Sequence, residues 1–204
     1  IDKVLNPSTA REIFEICNEQ LSTPSFSARG LMEKYHVECV CTTDDPIDSL
    51  EYHQAIRESG FSVKVLPAWR PDKATAVADP HTYYIYVQQL EKASGVEVRC
   101  LDDMLQALQV RHDFFAAQGC SVADHGVSQF PFRLASKKQL DQWFQQVLAG
   151  QTVGDDAVES LHTHILLELA RMNARKGWVQ QFHFGPLRNT NKKMFRLLGP
   201  DAGF

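Results

Sequence analysis

Apolar positions along this chain keep switching between a helical and an extended period. Ile13, Ile16, Cys17 and Leu21 fall at helical spacing behind a Thr9-x-x-Glu12 box, which predicts a first helix from about Thr9 to Gln20. Pro24 turns the chain into a second, short helix near Ala28 to Tyr35. Val37 to Thr42 is β-rich and ends at Thr43-Asp44-Asp45-Pro46, where the proline lacks the N–H that a ladder needs. Asp48 then offers an N-cap for a helix reaching about Ser59. Gly60 resets the chain, Phe61 to Leu66 alternates as a strand, and Pro67 to Asp72 forms its exit loop.

Further on, Tyr83, Tyr84, Val87 and Leu90 mark one helical face, and Met104, Leu105, Leu108 and Phe115 mark another that closes at Gly119. A strand from Cys120 to Ala123 presents Asp124-His125-Gly126 at its exit. Helices follow over Lys137 to Ala149 and Asp155 to Lys176, the latter apolar at Val158, Leu161, Ile165, Leu169 and Met172. Gly177 ends that helix, and a buried strand, Trp178 to Phe184, runs to a break at Gly185-Pro186. Strands that alternate with helices predict an α/β fold with a parallel sheet, and the chemically interesting residues all follow strands. Periodicity fits a (β/α)8 barrel and an open doubly wound sheet equally.

Composition narrows the partners rather than the fold. The 204 residues suffice for one domain. An apolar fraction of 44% with 23% charged residues is ordinary globular usage, and a net charge of -4 leaves no basic footprint for nucleic acid or an anionic membrane. No apolar run approaches the roughly 20 residues that span a bilayer. IDKVLNPSTA lacks the apolar core of a signal peptide, so a cytoplasmic location is expected. The five cysteines form no C-x-x-C pair, and Cys39-x-Cys41 falls in an apolar strand-like run, so free and mostly buried thiols are expected. There is no internal repeat and no Gly-rich phosphate loop.

The last strand leaves His183, Arg188, Asn189 and Asn191 near a rim. A titratable imidazole, a fixed cation and two amides suit a polyhydroxylated anion. Taken alone, a strand-end histidine is more often structural, and Lys192, Lys193 and Arg196 read as a solvated face. Trp69-Arg70 pairs an aromatic face for a sugar with a fork for a carboxylate, although Arg70 could equally pair with Asp72. Asp124-His125 reads as an oriented imidazole or as a simple turn. Asp44-Asp45 reads as a carboxylate pair or a turn starter. His162-Thr163-His164 imitates a metal-binding H-x-H, but on a helix residues two apart diverge and cannot share an ion.

The closing string RNTNKKMFRLLGPDAGF closely resembles the uronate isomerase family of the amidohydrolase superfamily. NPSTAREIFEICNEQLSTPSFSARG (Asn6 to Gly30), TTDDPIDSLEYH (Thr42 to His53), LPAWRPDK (Leu66 to Lys73) and GCSVADHG (Gly119 to Gly126) match it in order. The resemblance covers nearly all of the chain. It implies that residues 1–204 form a single domain, part of a (β/α)8 barrel comprising about its second to fifth strands. It also implies a central fragment, since the chain begins at Ile1 rather than Met and ends where the family continues.

The activity so implied is the interconversion of D-glucuronate with D-fructuronate, and of D-galacturonate with D-tagaturonate, in hexuronate catabolism. His183 would be the catalytic residue, a neighbour of the metal and of the reacting hydroxyls. Arg70, Trp69, Arg188, Asp124 and His125 would bind the hexuronate. A divalent metal, zinc, would belong to the intact enzyme and not to this fragment, because the family's H-x-H lies before Ile1 and its metal-binding Asp after Phe204. The fragment alone is expected to be inactive. Homo-oligomers are compatible with the family. A metal-dependent hydrolase of the same superfamily and a non-catalytic fragment are the alternative readings.

Overall fold

Local signals in the sequence set most of the element ends. The computed structural model describes residues 1–127, 130–185, 187–200 and 202. Pro186, at the expected break, lies outside the described residues, as do Asp201, Gly203 and Phe204 of the closing string. The chain divides into two compact units, residues 1–41 with 51–66, and residues 42–50 with 67–204.

The first unit holds α1 (Ala10–Leu21), α2 (Ala28–Lys34), β1 (Cys39–Cys41), α3 (Glu51–Glu58) and β2 (Lys64–Leu66). β1 and β2 pair in parallel, with Cys39 opposite Lys64 and Cys41 opposite Leu66. Both strands are shorter than the β-rich runs that predict them. The Thr9-x-x-Glu12 box does not close: Thr9 Oγ1 instead donates to the Val4 carbonyl at 2.7 Å and caps nothing. Asp48 does not cap α3 either. Its carboxylate accepts from the Asp45 backbone N–H at 2.8 Å, and Leu50 in a left-handed conformation (φ 58°) delays the helix to Glu51. The thiols correct another expectation, since Cys39 and Cys41 are exposed and only Cys120 is buried.

The second unit carries α4 (Pro80–Ser94), α5 (Leu101–Ala117), β3 (Val122–Val127), α6 (Lys137–Leu148), α7 (Asp155–Lys176), β4 (Val179–Phe184) and α8 (Lys192–Leu198). Asp79 caps α4 by accepting from His81 and Thr82, with Pro80 in the first turn where its missing N–H costs nothing. A capping box does occur, at Ser136 and Gln139 of α6. Gly177 ends α7 with φ 67°, a conformation open to glycine without a Cβ clash. Asn191 caps α8, so its amide is spent on the Met194 N–H rather than left for a ligand.

In this unit the sheet is parallel throughout. Asp44 bridges Trp69, Trp69 bridges Ala123, and β3 pairs with β4 from Val122–Val179 to Val127–Phe184. β3 is longer than expected, so Asp124-His125-Gly126 lie within the strand and not in its exit loop. β4 is not a buried strand in this chain, since Val179, Gln181, His183 and Phe184 are exposed. On α4 the inward residues are Tyr83, Tyr86, Val87 and Leu90, whereas Tyr84 is 45% exposed and does not join them.

The core fills the space between the sheet and its helices, with Trp69, Tyr83, Leu90, Met104, Leu108, Phe115, Phe144, Leu161, Ile165 and Leu169 all fully buried. Trp69 meets His112 and Phe115 edge-on, with ring centroids 5.3 and 5.0 Å apart. His112 stacks on Trp178 at 3.9 Å, and its Nε2 lies 3.0 Å from Asn173 Oδ1. Arg111 fastens the 42–50 segment by donating to the carbonyls of Pro46, Asp48 and Ala93. No helix among the described residues is long and apolar enough to cross a membrane.

The indole of Trp69 is 0% exposed, so it is part of this core and not a stacking surface. Trp69→Ala should therefore cost about 3–5 kcal/mol of stability, the usual range for emptying a buried aromatic site. Urea unfolding of the variant checks this, and an unchanged midpoint would mean that the indole packs against nothing.

Candidate active site

Side chains alternate faces along a strand, so register decides which of them meet. Asp124 lies opposite Gln181 and Gly126 opposite His183, so these four share one face of the β3–β4 pair. His125 opposes Phe182 and so belongs to the other face. Trp69, bridged to Ala123, turns its indole into the core, and the next residue, Arg70, turns the opposite way toward Asp124.

Arg70 is held at two points. Its Nε donates to Asp72 Oδ2 at 2.9 Å, and its Nη1 lies 3.3 Å from Asp124 Oδ2. Asp72, at the start of a 3-10 turn (Asp72–Thr75), also accepts the Gly126 backbone N–H at 3.1 Å on each oxygen. The hydrogen bond to Asp72 is the main reason that the guanidinium's pKa is raised further, against its partial burial. The other oxygen of Asp124 lies 3.5 Å from His183 Nε2, and that same nitrogen is within hydrogen-bond reach of the Gln181 amide at 2.5 Å. One nearly buried carboxylate thus stands between a fixed cation and an imidazole.

These groups open into a cleft of about 310 Å³ lined by Arg70, Asp72, Gly126, Val127, His183, Gly185 and Arg188. Gly126 leaves room there for its neighbours. A Cβ on it would lie 2.7 Å from Arg70 Nη2, closer than real Cβ atoms approach other groups, so the tip of Arg70 would have to move, and it would lie a tight 3.0 Å from Asp72 Oδ2.

The structure therefore brings together Arg70, Asp124, His183 and Arg188 from among the expected residues. It separates two others. Trp69 is in the core, as described. His125 is 2% exposed and stacks on Phe182 at 5.1 Å, so it does not reach the cleft as a substrate-binding group. Asp124-His125 is neither a turn nor an oriented pair, because adjacent strand residues face opposite ways. Asp44 and Asp45 also diverge: Asp44 accepts from Thr42 Oγ1 and the Ala68 N–H, and Asp45 pairs with Lys73 at 3.2 Å.

Asp72, Gly126 and Gln181 are site residues that the sequence reading did not single out. Arg70's alternative partner Asp72 was the one legible signal among them. His162, on α7, is near enough to Asp72 to feel its charge and near enough to His125 for its own charge to act there. Among the described residues, no three His, Cys, Asp or Glu side chains converge as a metal site.

The sequence matches the glucuronate isomerase family over residues 1–204. It is 52% identical over 204 residues to the uronate isomerases of Phocaeicola vulgatus and Bacteroides thetaiotaomicron, and covers 44% of each. In structure it resembles a uronate isomerase from Thermotoga maritima, with a TM-score of 0.89 and 32% identity, across 100% of this chain and 44% of that one. A glucuronate isomerase from Caulobacter crescentus is similar at a TM-score of 0.84 and 30% identity, across 98% of this chain and 42% of that one. The chain thus spans less than half the length of these relatives.

Two outcomes test the geometry. Gly126→Ala should push the flexible tip of Arg70 out of place while changing stability by no more than about 1 kcal/mol. The Arg70 Nε resonance, compared between the two chains, reads that movement, and an unmoved resonance would mean that the close approach is not tight. The second outcome concerns pH. Burial pushes the His125 imidazole down to about 4, below the roughly 6.5 of an unfolded histidine, so on acidification the unfolded chain takes up the proton first. The stability tied to this neutral ring is fully present above about pH 6.5 and is lost by about pH 4, a difference of roughly 3 kcal/mol. His125→Phe should flatten the urea-stability curve over that window relative to the parent chain.

Proposed function

The chain belongs to the glucuronate isomerase family, and on that footing we propose that it supplies the substrate-facing part of a uronate isomerase active site. The reaction would interconvert D-glucuronate with D-fructuronate, and D-galacturonate with D-tagaturonate. In it a proton leaves C2 and one is delivered to C1, while the hydroxyl proton passes from O2 to O1 through an enediol, so the sugar is isomerised with no net oxidation. The observation that carries this reading is the convergence of Arg70, His183 and Arg188 on one cleft, with Asp124 3.3 Å from Arg70 and 3.5 Å from His183.

Arg70 and Arg188 both line the cleft. Arg70 faces two carboxylates, Asp72 and Asp124, which hold its guanidinium in place. The C6 carboxylate of a uronate requires a cation within reach, and we give that grip to Arg188 and the task of holding Asp124 to Arg70. Asp124 stands 3.5 Å from His183 as a neighbouring charge, and the exposed imidazole would reach the hydroxyls being exchanged. His183 is then the residue nearest the chemistry, and Gln181 steadies it.

A divalent ion, zinc, is part of the proposal for the intact enzyme, where it would act as a Lewis acid on the developing oxyanion. The side chains described here do not make up its site, because a catalytic zinc takes about three protein ligands and no such set converges. The ladder of parallel segments through Asp44, Trp69, β3 and β4 supports reading the second unit as a section of a (β/α)8 barrel. The net charge of -4 favours a small-molecule partner in the cytoplasm over nucleic acid or an anionic membrane.

Steady-state assays test the proposal. The 204-residue chain alone should not turn over glucuronate, whereas a polypeptide carrying it at the relatives' full length should. In that longer protein, Arg188→Ala should lower kcat/KM for glucuronate by about ten- to a hundredfold, the worth of a hydrogen bond to a charged group, and should spare a neutral aldose. Arg70→Ala should reduce both substrates alike. Equal losses for Arg188→Ala on both substrates would remove it as the carboxylate grip, and robust turnover by the short chain would show the active site to be misassigned.

A further inference from the structure

The short turn that carries Asp72 is tied to the core at a point that the proposed reaction does not use. The hydroxyl of Tyr83, on α4, donates to the Ala74 carbonyl at 3.1 Å. Tyr83 is 1% exposed and Ala74 0%, so this bond is dry. Among the described residues no other donor is bonded to that carbonyl. A buried acceptor that loses its single donor is costly, and the backbone around it shifts to find another. Burial also raises the pKa of the phenol far above its ordinary value, so the group stays a donor at every working pH.

A shift of the turn would not stop at Ala74. The Ala74 N–H donates to the Pro71 carbonyl at 3.0 Å, and the Thr75 hydroxyl donates to the Asp72 carbonyl at 2.9 Å, so the turn moves as a unit. Asp72 in turn accepts from Arg70 Nε at 2.9 Å and from the Gly126 N–H at 3.1 Å. We propose that Tyr83 is a positioning residue of the cleft, its hydroxyl fixing the turn from which Asp72 holds Arg70. The effect on turnover rests on the isomerase reading, whereas the effect on Arg70 rests on geometry alone. The ring of Tyr83 has a separate task, since it meets Phe144 edge-on with centroids 6.2 Å apart inside the core. Hydroxyl and ring can therefore be tested apart.

Tyr83→Phe removes the hydroxyl and keeps the ring, and Phe144→Leu loosens the packing of the ring and keeps the hydroxyl. In the 204-residue chain both variants should lower the urea midpoint. Only Tyr83→Phe should shift the Arg70 Nε resonance. In a protein of the relatives' full length, Tyr83→Phe should lower kcat/KM by about tenfold for glucuronate and for a neutral aldose alike, as a displaced Arg70 would, and Phe144→Leu should leave it unchanged. An unmoved Arg70 resonance in Tyr83→Phe overturns the proposal. So does an equal shift in Phe144→Leu, which would reduce the hydroxyl's role to stability, and so does full turnover by Tyr83→Phe. If the resonance moves as expected while the longer parent protein does not turn over glucuronate, the isomerase reading fails and the hold on Arg70 stands.

Discussion

The backbone of Trp69 is the constraint on which the second unit depends. It is bridged to Asp44 on one side and to Ala123 on the other, donating to the Val122 carbonyl and accepting from the Asp124 N–H. A segment hydrogen-bonded on both flanks cannot slip by one residue without turning every side chain to the wrong face. Here a slip would bring the indole out of a fully dry pocket and push a guanidinium into it. Both changes would be costly, so the position of Arg70 in the cleft is enforced by the burial of its neighbour.

The same division of labour recurs along β3. Asp124 and Gly126 serve the cleft, and Ala123, His125 and Val127 are buried. Glycine at 126 does more than permit the chain to bend. It leaves the space in which the Arg70 guanidinium lies, and its N–H binds the carboxylate that holds Arg70. Site and core are thus two faces of one short stretch of sheet.

Much of the fold was legible in the sequence because helix ends carry local chemistry. The apolar stripe of α7 marks a real helix, and Gly177 marks its real end. What failed was of two kinds. The Thr9 box has the right residues, but Thr9 finds a nearer acceptor in the Val4 carbonyl, and a motif cannot reveal such a competitor. Trp69-Arg70 and Asp124-His125 were read as neighbours acting together, whereas adjacent strand residues act on opposite faces. The partners that complete the site, Asp72 and Gly126, are 54 residues apart and meet only through sheet order. Arg70, Asp124, His183 and Arg188 were legible as chemistry, and only register could show which of them share a cleft.

The arrangement around Asp124 also bears on the proposal that the cleft receives an anion. A carboxylate at its base would repel an incoming uronate if its charge were uncompensated. Arg70 compensates it at 3.3 Å, and Asp72 keeps Arg70 from swinging out to meet the substrate itself. Arg188 lines the same cleft, which gives it a cation besides the one held by Asp72 and Asp124. Preorganised charge of this kind needs no rearrangement when the substrate arrives. The neutral histidine behind the sheet has a different origin. Burial of the His125 ring, stacked on Phe182, keeps the imidazole neutral near neutral pH, and it outweighs Asp72 and Asp124, which favour a charged ring more than Arg70 opposes it.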